Sequence, residues 1–251
     1  MRIMVLNPNT SESITARLAA AAEKAAAPGT VIVPLTAPRG VPYIATRAEA
    51  QIGGAIALEM LAERHQDVDA VIIAAFGDPG LFGARELFDL PVVGMAEASM
   101  LTACMLGRRF AIVTFARALG AWYQDCVDMH GLGGRCAGIR MLDGSFASVS
   151  EVQEEKEDLL VELANRAVTE DEADVIILGG APLAGLAEKV KGRIPVPVVD
   201  QMAAAVKQAE ALTVLGARKA TAGTFRRPEA KPTIGLADAL ARRIEHRDKS
   251  L

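Results

Sequence analysis

The chain has 251 residues, of which 51% are apolar, with 27 Lys and Arg against 31 Asp and Glu. That length suits two small α/β lobes or one large domain, and the apolar content is enough for a full core. A formal charge of −4 leaves no basic surface for a nucleic acid or an anionic membrane, and no apolar run reaches the roughly 18 residues that a bilayer span needs.

MRIMVLN at the start reads as a buried strand, too short in apolar residues for a secretory signal. Thr10 or Ser11 then caps a helix through about Ala26. TVIVPL is a strand, and the loop APRGVPYIATRAEA leads to a helix ending near Arg64. VDAVIIAAF is continuously apolar, as a strand covered on both faces must be. GDPG turns the chain into the helix LFGARELF, followed by the strand LPVVGM and the helix EASMLTACMLG. RRFAIVTF is again a strand, ARALGAWYQDCVDMHG a helix and GIRMLDG a short strand. SEVQEEKEDLLVELANRAVTED is a charged amphipathic helix whose charges face solvent. ADVIILGGAPLAG and IPVPVVDQMAAAVKQAEAL each hold a strand leading to a helix. The basic tail TAGTFRRPEAKPTIG runs over the surface to a last helix, LADALARRIEHRD.

The second half repeats the first. RRFAIVTF parallels RIMVLN, ADVIILGGAPLAG parallels VDAVIIAAFGDPG, and IPVPVVDQMAAA parallels LPVVGMAEASML, about 104 to 107 residues apart each time. Strands alternating with helices form parallel sheets with right-handed crossovers. The expected architecture is therefore α/β, with two pseudo-symmetric doubly wound parallel-sheet lobes. The first comprises residues 1–97 with 209–251, and the second residues 98–208.

Ligands of such sheets bind beyond the carboxyl ends of the strands. The segments there are Asn7-Pro8-Asn9-Thr10-Ser11, Ala75-Phe76-Gly77-Asp78, Thr114-Phe115 and Gly179-Gly180-Ala181-Pro182. Their small, hydroxyl and amide groups beside helix starts suit an anionic or carbonyl oxygen. Asn7, Asn9, Thr10, Phe76, Thr114, Gly180 and Ala181 are the candidate binding residues. NPNTS serves equally as a plain turn and cap, Asp78 as a cap or a catalytic carboxylate, and Tyr43 as a packing aromatic or a lid. Glu97 opens a helix where capping suffices, and Trp122 and Tyr123 read as packing. No GxGxxG or P-loop supports a nucleotide, and no His/Asp/Glu cluster at these positions suggests a metal. His65, His130 and His246 are expected at the surface. Cys104, Cys126 and Cys136 form no CxxC pair and are odd in number, so a disulfide framework is not expected and the reducing cytoplasm is the expected setting.

MRIMVLNPNTS, FGDPGL with the following ARE, PVVGMAEA, RRFAIVT, ADVIILG, PVPVVDQMAAAVK and KPTIGL together resemble the aspartate/glutamate/hydantoin racemase superfamily, most closely its hydantoin and allantoin branch. The resemblance covers nearly the whole chain. It implies two lobes around one active site, no cofactor and often a homo-oligomer. It also implies two opposed thiols, one removing the proton of a chiral carbon and the other returning one to the opposite face. Those thiols precede FGDPGL and follow the glycine of ILG, where this chain has Ala75 and Gly180. Cys104, in mid-helix, is expected to be buried and inert, and Cys126 and Cys136 lie around a helix end and a turn.

Three functions follow as expectations. The first is an enzyme on a small carboxylate, amino-acid derivative or cyclic amide, diverged from two-thiol racemisation, with Asp78, Tyr43 or an activated water as its base. The second is a ligand-binding homologue without catalysis, and the third a racemase with an unrecognised base pair. If the site geometry is inherited, cysteines restored at 75 and 180 together should bring racemisation back.

Overall fold

A computed structural model describes residues 1–143 and 148–248. Gly144, the end of the expected short strand, and the last three residues of the expected first lobe lie outside them. Residues are taken up in the order β1 (Arg2–Asn7), α1 (Glu12–Ala25), β2 (Val31–Thr36), α2 (Arg47–Arg64), β3 (Ala70–Ile73), α3 (Leu81–Leu87), β4 (Val92–Gly94) and α4 (Met95–Leu106). The order then recurs as β5 (Phe110–Thr114), α5 (Gly120–Met129), β6 (Cys136–Met141), α6 (Val152–Glu170), β7 (Val175–Leu178), α7 (Leu186–Val190), β8 (Val198–Asp200) and α8 (Gln201–Val214), before a tail and α9 (Asp238–Ile244).

The strands form two four-stranded sheets, β2-β1-β3-β4 and β6-β5-β7-β8. Every pairing is parallel, with Ile3 beside Ala70 in one and Ala111 beside Ile176 in the other. The runs AVII and VIIL of β3 and β7 are buried at every residue. Helices cover both faces of each sheet, which is what continuous Val/Ile strands require. The α/β architecture read from the repeat is the one observed.

Helix starts follow the local signals. Ser11 caps α1, accepting from the Ile14 N–H. Thr46 and Glu49 close a reciprocal capping box, so α2 begins at Arg47, inside the stretch expected as loop. Helix α4 packs on β7 and α8, while α8 packs on α1, β3 and β4. Each half therefore lays one helix against the other's strands, and the two sheets share a continuous core. Arg243 of α9 is buried, donates to the Leu87 carbonyl at 2.6 Å, and lies over the Phe88 ring. That contact brings the tail back to the end of α3.

Candidate functional site

In each sheet the strand order switches sides between the two central strands, β1 and β3 or β5 and β7, and a crevice opens beyond their carboxyl ends. The segments following these strands converge. A Cβ built on Gly179 would stand 3.2 Å from the Phe76 ring, so the loops after β3 and β7 touch. Between them lies a cavity lined by Ala75 and Phe76 from one side and Gly180, Ala181 and Pro182 from the other. Asn9 and Ile14 at the NPNTS end, Tyr43 and Ile44, and Trp122 and Tyr123 of α5 complete its lining. Its volume is about 20 Å³, space for one or two water molecules at roughly 10–15 Å³ each.

The NPNTS turn is held by its own side chains. Asn7 is fully buried, and its Nδ2 donates to Asn9 Oδ1 and Thr15 Oγ1, each at 3.0 Å. The Thr10 N–H donates to the Val41 carbonyl at 3.0 Å, tying the turn to the segment that carries Tyr43. Asn7 and Thr10 shape this end of the site, and only Asn9 of the turn reaches the cavity. Thr114, fully buried at the end of β5, does not line it either.

Gly180 has φ +123°, a region that side chains rarely adopt. Gln201, buried at the start of α8, fixes this peptide: its Oε1 accepts the Gly180 N–H at 3.0 Å and its Nε2 donates to the Gly180 carbonyl. A Cβ at this position would meet Phe115 Cε1 at 2.8 Å and the Tyr123 hydroxyl at 3.3 Å. The space of a side chain at 180 is thus filled by Phe115 and bordered by a phenol. Sequence reasoning took Tyr123 for packing alone. It is buried, packs tilted against Phe76 at 4.8 Å between centroids, and also lines the cavity. Burial pushes the Tyr123 phenol well above its ordinary pKa, and Tyr43 adds to the rise while Thr114 opposes it. Burial, then Glu49, does the same for Tyr43, whose hydroxyl has no hydrogen-bond partner among the described residues. Both groups are therefore neutral phenols at neutral pH.

Asp78 faces away from this cavity. Its φ is +51° and its carboxylate is buried against the start of α4, accepting the Ala96 N–H at 2.9 Å and the Glu97 N–H at 2.8 Å. Asp200 makes the mirrored contact in the second half, capping α8 at Met202 and Ala203 while accepting the Gly185 N–H at 2.6 Å. Asp78 Oδ2 also lies 3.2 Å from His130 Nε2. The other ring nitrogen of His130 stands 3.5 Å from Glu97 Oε1, and Arg85 holds Glu97 with both guanidinium nitrogens. Burial raises the Asp78 carboxyl, against the pull of His130 and the two N–H groups.

Three expectations are corrected here. His65 and His130 are not at the surface: His65 packs on Phe88 and bonds the Leu61 carbonyl, and the His130 side chain is 4% exposed. Only His246 is exposed. A cluster of metal-ligating groups also forms, since Asp78, Cys126 and His130 bring their donor atoms within 4.8 Å of one another. Asp78 lies 52 residues from His130, so spacing along the chain did not announce it. Cys104, expected to be buried, is only partly so.

Among the described residues no helix is long and apolar enough to cross a membrane. Residues 3–209 match the family model described as Asp/Glu/Hydantoin racemase. A hydantoin racemase of Pseudomonas sp. (strain NS671) is 35% identical, covering 96% of this chain and 98% of that protein. The structure is similar to an allantoin racemase from Klebsiella pneumoniae, with a TM-score of 0.89, 36% identity, and coverage of 96% of this chain and 98% of the other. For an allantoin racemase from Pseudomonas fluorescens the TM-score is 0.87 and the identity 37%, over 94% and 100% of the two chains. The chain belongs to the Asp/Glu/hydantoin racemase family.

Proposed function

We propose that this chain is an enzyme acting on a small carboxylate, amino-acid derivative or hydantoin-like cyclic amide, bound between a lobe of residues 1–97 with 209–251 and a lobe of residues 98–208. It works without an organic cofactor, as a homo-oligomer in the cytoplasm, and its chemistry has diverged from two-thiol racemisation. One observation carries this reading: the two loops that end β3 and β7 line one cavity, with a methyl group and a hydrogen where the resemblance puts thiols, and with the Tyr123 hydroxyl beside the second of these positions.

Neutral phenols set the direction of the chemistry. A phenol whose pKa is raised gives a proton to a carbanion or enolate but takes none from carbon at neutral pH. The reading that fits is loss of a group from the substrate's α-carbon followed by one protonation. In a decarboxylation the carbon–carboxylate bond breaks, its electron pair stays on the α-carbon as an enolate, and the Tyr123 O–H delivers the proton. Solvent then restores the phenol. Asn9 has its Oδ1 occupied by Asn7 and by the Ser11 N–H, which leaves its NH₂ end to hold a substrate oxygen. A ring does not fit in about 20 Å³, so Tyr43 and Ile44 must lift to admit it.

The test is incubation of single enantiomers of 5-substituted hydantoins, allantoin, aspartate and glutamate, together with α-substituted malonates, in D₂O. Mass loss with one deuterium at the α-carbon supports the reading. Deuterium exchange without mass loss would instead indicate racemisation. Tight binding without turnover supports the second reading, a binding protein, which the absence of a group ionised at neutral pH among the described lining residues favours.

A further inference from the structure

We propose that Asp78, Cys126 and His130 form a binding site for one divalent cation of the zinc class, with the fourth ligand position open to the cavity beside Trp122. The donor set is a carboxylate, a thiolate and an imidazole, which are the ligand types zinc takes in sites with three protein ligands and one exchangeable position. Their donor atoms lie within 4.8 Å of one another. The His130 Nε2 to Asp78 Oδ2 distance is 3.2 Å, close to the edge of a tetrahedron with metal–ligand bonds of about 2.0–2.1 Å.

The surroundings of the imidazole match what a metal-bound histidine needs. Nδ1 faces Glu97 Oε1 at 3.5 Å, and Glu97 is held in turn by Arg85. A carboxylate on the far nitrogen fixes the tautomer that leaves Nε2 free to ligate. Phe82 stands edge-on to the ring at 5.6 Å and limits its rotation. Charge balances as well, since Asp78 and a Cys126 thiolate carry two negative charges and the cation two positive, while Glu97 is already neutralised by Arg85. Zinc takes the thiolate, so binding must release the Cys126 proton.

Access comes from one side. Asp78 and Cys126 border a cavity of about 480 Å³ with Trp122, Asp125 and Met129, and a fourth ligand would approach the buried donor atoms from this side. The Trp122 indole is a wall common to this cavity and the one at Gly180. A bound cation would tie α5 to the loop after β3, fixing the backbone that carries Ala75 and Phe76.

The test uses the full chain, stripped with a chelator and dialysed against Zn²⁺ or Co²⁺. One zinc per chain retained after dialysis, and a thiolate-to-cobalt charge-transfer band in the near ultraviolet, are the expected results. Cys126→Ser should abolish that band, and Cys126→Ser and His130→Gln should each weaken zinc binding by at least about tenfold, with Cys104→Ser and Cys136→Ser binding as the unaltered chain does. If a variant fails to fold, the cobalt spectrum of the unaltered chain decides. Substoichiometric zinc and no charge-transfer band in folded protein would overturn the proposal, as would unchanged affinity in both ligand variants.

Discussion

Phe115 Cε1 stands 2.8 Å from where a Cβ on Gly180 would be, so the ring of one residue occupies the side-chain space of the other. The position at which a family resemblance implies a thiol is thereby closed in two ways, by that contact and by a φ of +123°. Restoring cysteine at Ala75 and Gly180 alone therefore meets an obstacle that sequence does not show. Gly180→Cys should lose about 1–3 kcal/mol from its backbone conformation, with more from the clash. Ala75→Cys should fold as the unaltered chain does. Racemisation is expected only when Phe115→Ala accompanies both cysteines. Denaturant titration measures the first effect and polarimetry the second; a fully stable Gly180→Cys chain would refute the packing argument.

The chain has two tyrosines, Tyr43 and Tyr123, so tyrosinate absorbance reports on the site alone. Burial raises both phenols above the ordinary value of about 10. A folded pKa above the unfolded one means the unfolded chain releases these protons first. The stability they contribute is complete below about pH 10 and is lost as pH rises beyond it. Alkaline titration should show no tyrosinate in folded protein near pH 10, and then a rise coincident with loss of circular dichroism. A normal titration curve in folded protein would contradict the burial of both hydroxyls.

Tyr123→Phe removes one oxygen and keeps the ring that packs on Phe76. Turnover of whichever substrate is processed should fall by about 100-fold or more, the usual weight of a positioned acid, while thermal stability changes little. Equal losses of stability and turnover would point to a packing role only.

Asp78→Ala should leave two α4 N–H groups without their acceptor and remove the carboxylate beside His130, at a cost of about 3 kcal/mol or more. Asp78 is 2% exposed, so water does not replace the lost bonds. Urea unfolding measures this, and a loss under about 1 kcal/mol would show that these buried bonds contribute only as exposed ones do.

Arg243→Ala should release α9 and the tail from the end of α3. Arg243 is paired with Asp248 and bonded to the Leu87 carbonyl and Asp89, and removing it leaves the Leu87 carbonyl without its donor while Asp248 keeps Arg227, at about 1–3 kcal/mol. Limited proteolysis should then cut between α8 and α9 faster. An unchanged digestion rate would refute the anchoring role.

The fold was legible because its signals are local and repeated. Val/Ile runs mark β3 and β7, Ser11 marks the start of α1, and the same order recurs about one hundred residues later. The strand-end rule also led to Ala75, Phe76, Gly180, Ala181 and Asn9, which do line a common cavity. It went too far with Asn7, Thr10 and Thr114, because a residue at a strand end turns its side chain to the turn or core as readily as to the crevice. Tyr123 and His130 were missed for the opposite reason. Both lie in or just beyond α5, where an aromatic or a histidine reads as packing or surface. Their meaning comes from what α5 packs against, namely Gly180 in one direction and Asp78 in the other.

A crystal structure of the chain grown with allantoin or a 5-substituted hydantoin tests the central claim most directly. The account predicts a ring seated between Ala75–Phe76 and Gly180–Ala181, with the Tyr43 segment displaced outward and the Tyr123 hydroxyl within about 3 Å of the α-carbon or a bonded oxygen. A ligand bound away from these two loops, with their cavity still closed, would contradict it.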